Sequence, residues 1–136
     1  MLAALMLAGL LAGQDPLMVV SDRPSPVYNG AKTYAACGRI EVEIEYYNTW
    51  AKGLQKLEGK ASYARSGKSL GSALSRIQRE SVYVSDVAYW CETENDMRVA
   101  IETAAREGGH KRWVLSVNER LDVSLAGPEP VEEGLR

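Results

Sequence analysis

Residues 37–46 read Cys-Gly-Arg-Ile-Glu-Val-Glu-Ile-Glu-Tyr, and this stretch decides the fold class. From residue 40 onward, apolar and acidic side chains alternate strictly. One face of the segment carries Ile40, Val42, Ile44 and Tyr46, and the other carries Glu41, Glu43 and Glu45. A period of two is typical of a β-strand with one buried and one solvated face. An antiparallel sheet that is covered on one side provides this environment, so the stretch predicts an antiparallel sheet.

Further segments with β-strand character flank this stretch on both sides. They cover residues 17–21, 54–64, 82–91, 97–101, 113–117 and 120–125. Pro24, Pro26, Asn29 and Gly30 predict a loop after the first of these segments, and Gly53 and Gly59 indicate turns or a bulge around the second. The Gly108-Gly109 pair predicts a hairpin turn between two later strands.

Beyond residue 13, one segment has helical spacing. Leu70, Ala73, Leu74 and Ile77 recur on one face, and Ser66 or Ser69 is placed to cap the first turn. The pattern predicts an amphipathic helix over about 68–80. The fold class that follows is α+β: a mainly antiparallel sheet of about five to seven strands with this helix packed on one face.

The first 13 residues, Met1 to Gly13, contain no charged side chain and include an apolar run of the length found in secretory signal peptides. The run is shorter than the roughly 20 residues that cross a bilayer, so we expect no transmembrane span in the mature chain. We interpret residues 1–13 as a signal peptide, 14–126 as a single α+β domain and 127–136 as a flexible tail. Export to the periplasm or the exterior follows, and the alternative is a cytoplasmic protein whose apolar N-terminal helix is buried.

The two cysteines, Cys37 and Cys91, agree with export. They belong to no Cys-x-x-Cys motif, which excludes the usual cysteine motifs of zinc sites and of dithiol redox sites. In an oxidising compartment we expect them to form one disulfide that joins the segments before and after the helix. In the cytoplasmic alternative they are two buried free thiols.

Composition and motifs exclude several functions. The chain has 136 residues and a net charge of −2, so it lacks the basic surplus typical of nucleic-acid-binding domains. His110 is the only histidine and no residue pattern nominates a partner for it, so we assign no catalytic residue, metal site or cofactor. Ser66-Gly67-Lys68-Ser69 resembles the end of a phosphate-binding P-loop, but Ser62 stands where that motif requires glycine.

Two sets of residues are candidates for binding a partner. Between Gly59 and Arg79 the chain holds no acidic residue but several basic ones, and from these we select Arg65, Lys68, Arg76 and Arg79 as an anion- or partner-binding set. Aromatic side chains with a polar group cluster elsewhere in the sequence. We select Tyr46, Tyr47, Trp50, Tyr89 and Trp90 as an aromatic contact surface. The alternative for the basic set is an ordinary solvated helix face. The alternative for the aromatic set is that these side chains fill an ordinary core.

These observations predict a small exported domain that binds a partner without catalysis, or an accessory protein of the cell envelope. An acidic protein or an anionic envelope polymer is the expected partner, because the selected cations are concentrated in one segment. The alternative is a small extracytoplasmic hydrolase with a site assembled from dispersed residues.

Overall fold

The computed structural model describes residues 17–21 and 29–131, which form nine strands and one helix. In chain order the elements are β1 (Leu17–Ser21), β2 (Asn29–Cys37), β3 (Ile40–Thr49), β4 (Gly53–Tyr63), β5 (Ser66–Ser69), α1 (Gly71–Glu80), β6 (Ser81–Thr93), β7 (Asp96–Ala105), β8 (His110–Asn118) and β9 (Val123–Val131). Strands β1 to β5 pair in sequence order in a five-stranded sheet, the first sheet. Strands β6 to β9 form a separate four-stranded meander, the second sheet. All pairs are antiparallel.

The predicted antiparallel architecture and α+β content are confirmed, but the prediction of one sheet of about five to seven strands is wrong. The strands after the helix pair only with one another, so α1 lies between two sheets in chain order. The physical reason is that alternation reports only that one strand face is buried. The same pattern results whether a helix or a second sheet covers that face.

Strand β3 has the alternation that the sequence predicts. Ile40, Val42 and Ile44 are fully buried, whereas Glu41 is exposed and Glu43 is half-buried. The apolar side of β3 faces a core shared by both sheets and the helix, including Leu74 of α1. Other large members of this core are Leu57, Leu70, Ile77, Val84, Met97, Val99, Ile101, Trp113 and Leu115.

The long strand β6 connects the two sheets. Near its beginning, the backbone of Val84 is hydrogen-bonded to the buried side chain of Asn48 on β3. Near its end, Cys91 forms the predicted disulfide with Cys37, the last residue of β2. Strand β6 is therefore fastened to the first sheet near both of its ends.

Helix α1 begins at Gly71, later than predicted, because Ser66–Ser69 adds to the first sheet as β5. Leu70 occupies the N-cap position, and neither predicted serine makes a side-chain cap there, although the Ser69 hydroxyl accepts the Gly71 N–H at 3.0 Å. Leu74 and Ile77 are the buried side chains of the helix.

Gly59 marks neither a turn nor a bulge, because it lies in the middle of β4. A Cβ atom at that position would lie 2.7 Å from Ile44 Cδ1 and 3.0 Å from Leu74 Cδ1. The glycine therefore lets the helix approach the sheet closely.

At its C-terminal end, the described chain continues in β9 to Val131, five residues into the segment expected to be a flexible tail. Residues 132–136 and the expected signal peptide, 1–13, lie outside the described residues. The described part of the chain contains no apolar helix of membrane-spanning length.

Candidate functional site

The structure divides the four selected basic residues between two places. Arg65 and Lys68 lie at the hairpin that joins β4 to β5, where both are exposed. Arg76 and Arg79 lie on α1. The helix does not begin until Gly71, so no single helix face presents all four cations.

On α1, the two arginines have different surroundings. The Arg76 guanidinium lies 3.5 Å from the Glu80 carboxylate and 5.2 Å from the ring centroid of the buried Trp113. A guanidinium over a tryptophan ring is held by a cation–π interaction, so Arg76 has a structural role in packing the helix on the second sheet. The Arg79 side chain is exposed and forms no ion pair with the described residues.

Arg65 and Lys68 border a groove with a volume of about 680 Å³, which we call the hairpin groove. It is lined by Tyr34, Glu41, Val42, Glu43, Lys60, Ala61, Ser62, Ala64, Arg65, Ser66, Gly67, Lys68 and Ser69. The side chains of Tyr34 on β2, Glu43 on β3 and Lys60 on β4 meet there because these residues are register partners in neighbouring strands. This face of the first sheet is turned away from the core, so the groove is open to solvent.

The cations of the hairpin groove differ in how far they are already neutralised. The Lys60 ammonium lies 4.0 Å from the Glu43 carboxylate, which also pairs with Lys32 at 3.2 Å. The Lys68 ammonium donates a hydrogen bond to the Leu121 carbonyl at 3.1 Å, a contact with a neutral group. The Arg65 side chain makes no ion pair with the described residues. Arg65 therefore retains uncompensated positive charge beside the groove, whereas the positive charge of Lys68 also contributes to lowering the pKa of Asp122.

Hydroxyl groups supplement these charges. The pKa of Tyr34 is raised by partial burial, by the negative charge of Glu41 and by a hydrogen bond to that carboxylate, so the phenol keeps its proton. The hydroxyls of Ser62 and Ser66 also face the groove and make no hydrogen bond with the described residues. The groove thus combines cations, hydroxyl donors and carboxylate acceptors among its lining residues.

The row of glutamates on β3 is a charge ladder. Glu43 pairs with Lys32 and Lys60, and Glu45 pairs with Lys56 at 3.2 Å. Carboxylates that alternate with lysines across a solvated sheet face make the exposed side of the sheet soluble.

The five selected aromatic residues do not form one surface. Tyr46 and Tyr89 are buried in the core, Tyr47 is half-buried, and Trp90 is 39% exposed. Tyr46 is buried because it lies two residues after Ile44 and therefore on the same, core-facing side of β3. By contrast, Trp50 in the turn between β3 and β4 is 93% exposed. Of the five, only the two tryptophans have large exposed rings, and they lie in different parts of the fold.

Other groove residues were not selected from the sequence. Lys60 and Ser62 alternate with the buried Ala61 on β4, so their shared outward direction could have been read from the predicted strand. Tyr34 could not be placed in this way, because Asn29 and Gly30 had indicated a loop where β2 begins.

The described residues contain no cluster of histidine, cysteine or carboxylate side chains that could hold a metal ion. His110 is half-buried at the first position of β8, after the Gly108-Gly109 turn, and is remote in sequence from the hairpin groove. No protein-family model, curated protein or solved structure matches the chain.

Proposed function

We propose that this protein is a non-enzymatic binding domain of the extracytoplasmic space and that its hairpin groove binds a segment of an anionic envelope polymer. The observation that carries the proposal is the position of Arg65, an exposed guanidinium without an ion-pair partner among the described residues, beside a groove lined with hydroxyl groups. A guanidinium can bind a carboxylate or phosphate through two parallel hydrogen bonds, which neutral donors cannot match in strength.

The mixed lining of the groove supports a saccharide-like polymer. A polyol presents many hydroxyls, each able to donate and accept a hydrogen bond, and the groove offers both kinds of partner. Glu41 and Glu43 accept, whereas Ser62 and Ser66 can donate. The anionic group of such a polymer is attracted to Arg65 and Lys68 and repelled by Glu41 and Glu43, so its charge and its hydroxyls contact different lining residues.

The proposed compartment is supported by the disulfide. A bond between Cys37 and Cys91 persists in an oxidising environment and is rare in the reducing cytosol. Such an environment also contains the charged polymers of the cell envelope, which agrees with the chemistry of the groove.

Calorimetric titration with polygalacturonate, a polymer of anionic sugars, tests the proposal, and uncharged dextran serves as the control polymer. We expect binding to polygalacturonate that weakens as salt is added, and no binding to dextran. Arg65→Glu should weaken binding at least about tenfold, as expected when a charge-assisted hydrogen bond is replaced by repulsion. Arg79→Glu changes the net charge equally on α1 and should leave the affinity unchanged.

Two results would contradict the proposal. Equal losses in the two variants would show that net charge alone determines binding and that the groove has no special role. Release of new reducing ends from the polymer would show that the protein is a hydrolase.

A further inference from the structure

We infer that a second surface, separate from the hairpin groove, docks on the headgroup region of an anionic lipid bilayer. This surface, the tryptophan end, consists of Trp50, Lys52, Arg79, Val82, Tyr83 and Arg106. Trp50 is 93% exposed, and Val82 and Tyr83 are 39% and 37% exposed. These are three of the four large apolar side chains that are exposed among the described residues, and the fourth, Trp90, lies further along β6.

Contacts between the first and second sheets bring these residues to one end of the molecule. The turn that carries Trp50 covers residues 50–52 and follows the end of β3, where the Asn48 side chain is hydrogen-bonded to the backbone of Val84. A Cβ atom built on Gly53 would lie 2.6 Å from the Val82 carbonyl oxygen, which shows how closely the turn approaches the start of β6.

The basic residues Arg79 and Arg106 of the tryptophan end contact each other just before the start of β6. Arg79 is two residues before Ser81, where β6 begins, and its carbonyl accepts a hydrogen bond of 2.8 Å from Arg106 Nε. The Arg106 N–H donates to the Glu80 carbonyl at 3.0 Å. Lys52 lies in the Trp50 turn itself and is exposed.

The charge balance at this end favours a negative ligand. Glu80 and Glu107, the carboxylates beside these arginines, already pair with Arg76 at 3.5 Å and with Lys111 at 3.4 Å. The side chains of Lys52, Arg79 and Arg106 form no ion pair with the described residues. The tryptophan end therefore carries free positive charge around an exposed indole ring.

A lipid surface fits this combination better than a folded protein partner. The neighbours of Trp50 in its turn, Ala51 and Lys52, are also exposed, so the whole tip of the turn is accessible to a lipid surface. An indole ring at the tip of a turn can settle among lipid headgroups, where tryptophan and tyrosine are enriched. Flexible lysine and arginine side chains beside it can reach the phosphates.

Cosedimentation with vesicles tests the inference, using phosphatidylcholine alone and phosphatidylcholine with one quarter phosphatidylglycerol. We expect binding only to the anionic vesicles, together with a blue shift of tryptophan fluorescence. Arg79→Glu should weaken binding about fivefold or more, the effect of losing one cation near an anionic surface. Trp50→Ala should also weaken binding and should remove the blue shift.

Two matched variants serve as controls. Trp90→Ala removes an exposed tryptophan that lies on β6 outside the tryptophan end. Arg65→Glu changes the net charge at the hairpin groove. Both should bind anionic vesicles like the parent protein. Unchanged vesicle binding by Trp50→Ala and Arg79→Glu would overturn the inference, as would equal binding to neutral vesicles. Because Arg65→Glu is expected to lose polygalacturonate but to keep vesicle binding, the two proposals can fail independently.

Discussion

Asn48 on β3 and Val84 on β6 form a reciprocal pair of hydrogen bonds between the two sheets. Asn48 Nδ2 donates to the Val84 carbonyl at 2.9 Å, and the Val84 N–H donates to Asn48 Oδ1 at 3.1 Å. Both residues are buried, so no water can replace either bond. One amide side chain thus supplies both hydrogen bonds that the backbone of Val84 requires.

Asn48→Ala should therefore destabilise the fold by about 2–4 kcal/mol, because it leaves the N–H and the carbonyl of Val84 buried without partners. Urea unfolding at neutral pH measures the loss. Gln55→Ala removes an exposed side-chain amide and its 3.1 Å bond to the Lys52 carbonyl, and should cost less than about 0.5 kcal/mol. Similar losses in both variants would contradict the assigned role of Asn48.

The Cys37–Cys91 disulfide joins residues 54 positions apart and links β2 to β6. In the chain-entropy account, closing a loop of this size stabilises the folded state by about 4 kcal/mol. The double variant Cys37→Ala/Cys91→Ala should lose about this free energy of unfolding in urea. Adding a reductant should destabilise the parent protein by a similar amount and leave the double variant unaffected, and a reductant effect on the double variant would refute this account.

Tyr89 contributes to stability in a pH-dependent way. Its phenol lies 2.6 Å from Thr33 Oγ1, and because the Thr33 hydroxyl donates to the Ile44 carbonyl at 3.1 Å, the phenol must be the donor in its own bond. Burial raises the pKa of Tyr89 from 10.0 to about 12, against smaller lowering effects of these hydrogen bonds. The unfolded chain therefore loses this proton at a lower pH than the folded protein does.

The stabilisation that Tyr89 provides should be complete below about pH 10 and should be lost as the pH rises to about 12. Free energies of unfolding measured from pH 8 to 12 should fall less steeply in Tyr89→Phe than in the parent protein. A Tyr89→Phe variant with the parent slope would show that this phenol does not titrate as described.

Gly59 and Gly67 offer a comparison of two glycines in neighbouring strands. A Cβ atom at Gly59 would lie within 3.0 Å of the Ile44 and Leu74 side chains and 2.9 Å from the Glu43 carbonyl oxygen, whereas at Gly67 the nearest atom is 3.8 Å away. Gly59→Ala should cost about 1–3 kcal/mol in urea unfolding, the usual effect of overpacking. Gly67→Ala should be nearly neutral, and a reversed order would contradict the described packing of α1 on β4.

The strands were predictable from the sequence where one face is buried and the other is solvated. Alternation identified β3, and the positions of Cys37 and Cys91 indicated the disulfide. Alternation carries no information about what covers the buried face, so the division into two sheets could not be predicted. Strand β5 was also missed, because its four residues are all exposed and carry no apolar signal.

Candidate-site prediction was limited for a related reason. Closeness in sequence grouped Arg65 with Arg79, but Arg65 precedes β5 and Arg79 lies in the last turn of α1. Conversely, Tyr34 and Lys60 are far apart in sequence and meet only through the β2–β3–β4 register. Surfaces built from several strands require the pairing partners, which a single strand pattern does not specify.

The central claim is that the hairpin groove is the binding site for an anionic polymer, and amide chemical-shift mapping tests it most directly. Titrating isotopically labelled protein with short galacturonate oligomers should shift the amide signals of residues 60–69 and of Tyr34, and Arg65→Glu should strongly reduce these shifts at the same oligomer concentration. Signals of α1 and of the Trp50 turn should stay in place. Shifts centred on α1 or on the Trp50 turn, or shifts at 60–69 that are undiminished in Arg65→Glu, would contradict the claim.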